Sequence, residues 1–460
     1  MPAILEAPET IPATQPSVPG SIPSLPHIVI VGAGFGGLYA ARELRHARAR
    51  VTLLDRRNFH LFQPLLYQVA TAALSPGNIA YPIRAILRGQ PNTQVLLAEV
   101  TGVDVDARQL VLASAEDEPE TRLDYDYLIL APGARDSYFG HDQWAQWAPG
   151  LKSLEEGLEL RRRLLLAFEH AERESDAARR RELLTVAIIG GGPTGVEMAG
   201  AIAEIARQVM RHDFRAIDPA ETRVVLIEAG ARILPAFAPE LSQRAAEALR
   251  KRGVELWLHT PVTAIQAREL LAGREPNMQS LRAGLIVWAA GVRASALGES
   301  LGVALERGGR VRVRADLSLQ NHPEVFIIGD LAWCAGAEGA PLPGLAPVAM
   351  QQGRHAAGNI LRALRAAQAR GGDEFVPGAA FYRPFHYFDK GNLATIGKAA
   401  AVGQWGRFQL WGLPAWLVWV GVHIRYLIGF RNRLVVSLEW LWAYLTAQRA
   451  ARLITNQARQ

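Results

Sequence analysis

Two copies of one pattern, a buried strand running into a glycine-rich turn, a helix, and a second strand ending in a carboxylate, predict an α/β chain with two Rossmann-like dinucleotide-binding domains. A third observation, an apolar C-terminal stretch holding six of the chain's eleven tryptophans, adds amphipathic helices that anchor at a membrane surface. At 460 residues the chain exceeds one hydrophobic core, which fits two or three domains.

The net charge of +6 is carried almost wholly by arginine, since Lys152, Lys251, Lys390 and Lys398 are the only lysines. No basic run interleaved with aromatics occurs, which speaks against a nucleic-acid partner. An anionic membrane surface suits the charge better. The single cysteine, Cys334, rules out an intramolecular disulfide and any Cys-x-x-Cys pair, and no metal site is expected.

Residues 1–26 hold seven prolines, no Lys or Arg and no apolar block, and read as a disordered extension rather than a targeting signal. His27-Ile28-Val29-Ile30-Val31 then reads as a buried parallel strand that meets Gly32-Ala33-Gly34-Phe35-Gly36-Gly37. Gly32 permits the tight turn, Gly34 lets a pyrophosphate approach the backbone, and Gly37 lets a helix over 38–44 pack closely. A strand over 51–54 places Asp55 at its end, where a carboxylate accepts the two ribose hydroxyls of an adenosine. Residues 56–71 mix aromatics, amides and prolines with no clean period, as segments that line ligands often do. A short helix closes over 84–88, antiparallel strands are expected at 94–105 and 109–113, and a buried strand at 124–134 ends in the Gly133 turn and returns to the first sheet.

A charged helical stretch, 153–181, leads to the second copy. Its strand is 184–189, its loop Gly190-Gly191-Gly192-Pro193-Thr194-Gly195, its helix 196–207, and its second strand, 224–227, ends at Glu228. Two acids at these strand ends favour the ribose of NAD over the 2′-phosphate of NADP, while Arg232 keeps NADPH open. The sheet continues through 254–260 and 284–292, the latter turning at Gly291. A further buried strand, 325–330, ends in Asp330, which either bonds a flavin hydroxyl or caps a helix.

On these residues, 27–370 resembles the flavoprotein disulfide reductases with two dinucleotide domains. More specifically, Asp55-Arg56-Arg57-Asn58-Phe59-His60-Leu61-Phe62-Gln63-Pro64-Leu65-Leu66-Tyr67-Gln68-Val69-Ala70-Thr71, with Thr194-Gly195-Val196-Glu197 and Phe388-Asp389-Lys390-Gly391-Asn392-Leu393-Ala394-Thr395-Ile396-Gly397, resembles the type II, non-proton-pumping NADH:quinone oxidoreductases across 27–446. The resemblance implies FAD in a first domain (27–151 and 306–370), held by Gly32, Gly34, Gly37, Asp55, Arg56, Gly133 and Asp330. It implies NADH in an inserted domain (152–305), held by Gly190, Gly192, Gly195, Glu228 and Gly291, and a C-terminal domain (371–460) that carries the anchor. The implied enzyme passes two electrons from NADH to a membrane quinone and works peripherally at the cytoplasmic face of the inner (plasma) membrane, with a homodimer left open. One departure is visible. The family's Ala-Gln followed by three residues and Gln reads here Ala346-Pro347-Val348-Ala349-Met350-Gln351, keeping Gln351 as a quinone-side amide and losing the first.

Hydride transfer from nicotinamide to flavin needs stacked rings in a dry pocket rather than a nucleophile or metal. A quinone also takes up two protons. Glu197, on the first helical turn after Gly195, is the candidate for the proton side, against the reading of a carboxylate favoured by the helix dipole. Lys390, one of four lysines, is the candidate for compensating charge on the reduced flavin or quinol, against that of a solvated loop.

In the tail, Trp405, Trp411, Trp416, Trp419, Trp440 and Trp442 suit an interfacial layer. The fifteen uncharged residues 410–424, broken by Pro414 and containing His423, fall short of the ~20 that span hydrocarbon. After an Arg431-Asn432-Arg433 turn, an apolar helix over 434–445 completes an anchor lying in one leaflet, with a dimer interface or a true span as alternatives. Two other functions compete: a reductase of a soluble ferredoxin- or rubredoxin-type acceptor, indifferent to deletion of 405–460, and an FAD- and NADH-binding redox sensor of the apoptosis-inducing-factor type.

Overall fold

The opening run, β1 (His27–Val31), is buried at every position, as a strand covered on both faces must be. In the computed structural model, which describes residues 25–113, 121–336, 339–369, 379–446 and 451–454, it is followed by α1 (Phe35–Glu43), β2 (Arg50–Asp55), β3 (Thr93–Leu97) and β4 (Tyr127–Leu130). The proline-rich extension lies, up to residue 24, outside the described residues. Helix α2 (Leu154–Arg173) leads onward from a capping box in which Ser153 and Glu156 satisfy each other's backbone amides. The second unit is β5 (Thr185–Ile189), α3 (Pro193–Glu204), β6 (Arg223–Ile227), β7 (Val254–Trp257) and β8 (Leu285–Trp288). The chain returns through β9 (Ser318–Leu319), β10 (His322–Ile327) and α4 (Ala346–Ala369). It then forms β11 (Asn392–Gly397), β12 (Ala400–Trp405), β13 (Phe408–Trp411), α5 (Gly412–Tyr426) and α6 (Phe430–Thr446).

The first sheet has the order β9-β10-β4-β1-β2-β3, parallel except for β9, and the second β7-β6-β5-β8, parallel throughout. The strands β3-β2-β1-β4 thus repeat β7-β6-β5-β8, and both glycine loops leave the same place in the sheet. The repeat extends beyond the loops. Each unit carries a three-stranded antiparallel meander, Val100–Asp104, Gln109–Leu112 and Thr121–Asp124 in the first, and Val262–Gln266, Glu269–Ala272 and Gln279–Arg282 in the second.

Three local expectations are corrected. Residues 94–105 are not one antiparallel strand: Thr93–Leu97 runs parallel to β2, and the meander starts at Val100 after Ala98 donates to the Asp55 carbonyl. Pro414 does not break the apolar helix but sits in the first turn of α5, where a missing N–H costs nothing. Arg431-Asn432-Arg433 lies inside α6; the turn is at Leu427 to Gly429, where Gly429 has φ +89°, a conformation suited to glycine.

Two glycines bring the parts into contact. A Cβ on Gly353 of α4 would stand 2.2 Å from the Gly36 carbonyl oxygen, so α4 lies directly against α1. A Cβ on Gly200 of α3 would stand 2.0 Å from the Ile396 carbonyl oxygen, so the C-terminal sheet lies directly against the second unit. A continuous apolar cluster runs from Val196 and Ile202 through Ala394 and Val402 to Trp419 and Val436, and takes in Phe62, Leu65 and Leu66 of the irregular segment. No helix among the described residues is long and apolar enough to cross a membrane.

Candidate functional site

The two glycine loops are built alike. Gly32 (φ +95°) and Gly190 (φ +110°) take a backbone conformation that L side chains rarely adopt. A Cβ on Gly37 would lie 1.8 Å from the Gly32 oxygen, and one on Gly195 1.9 Å from the Gly190 oxygen, so each helix packs on its own turn only because hydrogen stands there. At Gly34 and Gly192 a Cβ would meet nothing within 4 Å, and neither N-cap offers a side chain to the first amides of its helix. Open space before unsatisfied helix N–H groups is what a pyrophosphate needs. The acids repeat as well: Asp55 accepts from the amides of Ala33 and Arg57, both at 2.7 Å, and Glu228 from those of Gly191 and Gly230, both at 2.6 Å. Burial pushes the Asp55 carboxyl above the usual range.

Between the units lies a cavity of about 1450 Å³. Gly32, Gly34, Asp55, Arg56, Gly133 and Asp330 line it from the first unit, and Pro193, Thr194 and Glu197 from the second. Lys390, His423 and Tyr426 line it from the C-terminal part. A two-stranded ribbon, Ala134–Asp136 against Val292–Ala294, joins the units beside it. Its length of lining from the first glycine loop past Asp330 fits an extended dinucleotide such as FAD, whose pyrophosphate the open approach at Gly34 admits. Gly37, Gly190, Gly192, Gly195, Glu228 and Gly291 stand outside this lining; Gly291 packs against the Phe139 ring instead.

Glu197 accepts one bond, from the Thr395 amide at 3.4 Å, and burial pushes its carboxyl up to about 8. Lys390 donates to the Tyr426 hydroxyl at 2.8 Å. Gln351 is outside the cavity lining: its amide nitrogen donates to the Phe388 carbonyl (2.9 Å) and its oxygen accepts from the Phe388 amide (3.0 Å), so it fastens the loop that carries Lys390.

Three residues escaped the sequence reading. His60, within the long motif after Asp55, bonds the Ala33 carbonyl through Nδ1 at 2.8 Å, meets Phe35 edge-on, and thereby props the first glycine loop; burial pushes its imidazole down to about 4. Gln352, beside the expected Gln351, is the buried amide that accepts from Gly329 at 2.7 Å and holds the turn presenting Asp330. Asp136 lines the cavity with Glu156 and Lys152, and burial followed by the neighbouring Glu156 pushes its carboxyl up to about 7. Helical periodicity around Gln352 was the one usable signal; the other two depend on contacts across the fold.

The model of the pyridine nucleotide-disulphide oxidoreductase family matches residues 26–353. The chain is 42% identical over 456 residues to the type II NADH:quinone oxidoreductase Ndh of Mycobacterium tuberculosis, covering 98% of this chain and 94% of that protein. It is 29% identical over 386 residues to the type II NADH:quinone oxidoreductase of Staphylococcus haemolyticus, covering 82% and 89%. Its fold is similar to that of NDH2 from Plasmodium falciparum, solved with NADH, at a TM-score of 0.83 and 19% identity over 93% of this chain and 99% of that one.

Proposed function

Because the chain belongs to the pyridine nucleotide-disulphide oxidoreductases and, within them, to the type II NADH:quinone oxidoreductases, we propose that its first unit holds FAD, its second NADH, and its C-terminal part the quinone at a membrane surface. The reaction is the transfer of two electrons from NADH to a quinone. FAD, bound along the cavity, supplies the two-electron carrier between the two substrates. The single observation that carries this division of labour is the shared cavity, to which the first unit, the helix of the second glycine loop and α5 of the C-terminal part each contribute wall.

Each residue's part follows from its place. The uncapped amides after Gly34 and Gly192 receive the two pyrophosphates, and the clasped carboxylates of Asp55 and Glu228 stand ready for ribose hydroxyls. Gln352 holds Asp330 against the first site. Glu197, protonated at neutral pH, stores a proton at its carboxyl beside the site of charge change. Lys390, oriented by Tyr426 and by the loop that Gln351 fastens, sets a positive charge at the same wall, where two-electron reduction builds negative charge.

The C-terminal helices support a peripheral attachment. Leu417, Leu438, Leu441 and Leu445 are each more than half exposed, and Phe430 is 82% exposed, with Arg425, Arg431 and Arg433 exposed beside them. Apolar surface rimmed by arginine suits one leaflet of an anionic membrane. The anchor thus deepens the expectation of a monotopic enzyme at the cytoplasmic face of the inner (plasma) membrane, where NADH is available. Trp419 and Trp440 take no part in it, since the first is buried and stacked on His423 and the second donates to Gln68 at 2.8 Å.

Anaerobic stopped-flow tests the assignment. NADH should bleach the flavin, and a short-chain quinone should restore its colour, both faster than steady-state turnover. Rapid bleaching with recovery slower than turnover would remove the quinone from this cavity.

A further inference from the structure

His423 sits on α5 at the cavity wall, its ring stacked on Trp419 at a centroid distance of 4.2 Å and edge-on to Phe62 at 6.1 Å. Its Nδ1 lies 2.7 Å from the Trp419 carbonyl oxygen. A carbonyl only accepts, so Nδ1 carries the proton, and in the neutral ring Nε2 is left with a lone pair and no proton. Burial pushes the imidazole down to about 4, which keeps the ring neutral across the working pH range. Nε2 has no partner among the described residues, and His423 lines the cavity. The rings of Phe62 and Trp419 pack against it, and Val422, Arg425 and Tyr426 of the same helix also line the cavity.

Such a nitrogen is an acceptor that cannot donate. A quinone presents two carbonyl oxygens, which are acceptors also. The hydroquinone, formed when the quinone takes up two electrons and two protons, presents two hydroxyl donors. We propose that His423 Nε2 accepts a hydrogen bond from a hydroxyl of the hydroquinone and has no counterpart bond to the quinone, so that this wall distinguishes the reduced from the oxidised ligand. The inference rests on the quinone reading above. His423 is thereby a specificity-determining residue for the product end of the reaction: it holds the ring as the second oxygen becomes a hydroxyl, and its cost is slower release of product. Lys390, a donor without lone pairs, favours the opposite partner, an acceptor oxygen such as a quinone carbonyl. The two residues therefore divide the oxidation states of one substrate between them.

The test uses the whole flavoprotein in detergent with tetramethyl-1,4-benzoquinone and its hydroquinone as probes. Dissociation constants are measured anaerobically for each, without NADH, in the wild type, His423→Phe and His423→Gln. Removing one acceptor should weaken hydroquinone binding about tenfold in His423→Phe and leave quinone binding within about twofold. His423→Gln, whose terminal amide oxygen can stand near Nε2, should restore most of the difference. The product-inhibition constant of the hydroquinone in turnover should move with the dissociation constant. Equal weakening of both ligands would show that the ring only packs the helix, and no change in either would show that Nε2 does not meet the ligand; both outcomes overturn the proposal. A wild-type protein that binds neither probe and shows no reoxidation by the quinone would instead overturn the underlying quinone reading.

Discussion

At the scale of single residues, Glu197 and Asp136, two of the raised carboxyls, report how the cavity treats charge. The unfolded chain titrates Glu197 near 4.5, whereas the folded protein holds that proton up to about 8. The folded state therefore binds it more tightly, and the stability this contributes is complete below 4.5 and is lost as pH rises through about 8. Asp136 acts in the same sense between its ordinary 3.8 and about 7. Glu197→Gln and Asp136→Asn should each flatten the fall of unfolding free energy with pH in its own window, read from urea titrations at fixed pH; a curve parallel to the wild type would refute the assignment for that residue. In activity, Glu197→Gln should slow quinone-dependent flavin reoxidation about a hundredfold, the low end for a lost proton donor, while bleaching by NADH changes little. Stopped-flow measurements of the two half-reactions separate these effects. Glu197 was legible as a candidate because it follows a glycine loop at a helical spacing. Its proton affinity was not, because it depends on burial against parts of the chain far away in sequence, such as Thr395, 198 residues on.

Among elements, the two glycine loops were the most legible part of the chain, since strand, turn, helix and acid are local in sequence. They also allow the clearest separation of the two nucleotides. Alanine at position 37 places a methyl 1.8 Å from the Gly32 oxygen, and alanine at 195 places one 1.9 Å from the Gly190 oxygen, so each forces apart one loop and leaves the other alone. Gly37→Ala should purify with about tenfold less flavin per chain, read from its absorbance. Gly195→Ala should keep its flavin and lose affinity for NADH by a similar factor, read from the NADH dependence of bleaching. The second meander, 262–282, was missed because its short strands mix charged, polar and apolar residues without sustained alternation. The strand expected over 94–105 was drawn as one for the opposite reason: an apolar run continues across the point where the backbone leaves the sheet.

For the molecule as a whole, the tail is both surface and wall. Residues 405–460 include Val422, His423, Arg425 and Tyr426 of the cavity lining as well as the exposed leucines, so deleting them would open the site to any acceptor and would not discriminate a soluble one from a quinone. Point changes on the exposed face do discriminate. Leu438→Glu with Leu441→Glu, both 56% exposed, should lower binding to vesicles of mixed zwitterionic and anionic lipid about a hundredfold in a flotation assay, while NADH oxidation by a water-soluble electron acceptor stays at the wild-type rate. Retention on vesicles would remove this face from the attachment. The tryptophan count could not tell which rings turn outward, because Trp419 packs on His423 and Trp440 bonds Gln68. The repeat itself carries a history. Two sheets with the same strand order, the same meander and the same carboxylate clasp read as one ancestral unit used twice, and the added pair β9 and β10 marks where the copies took up different work. The turn after β10 brings Asp330 to the cavity, and the second sheet, which ends at β8, has no such turn to offer.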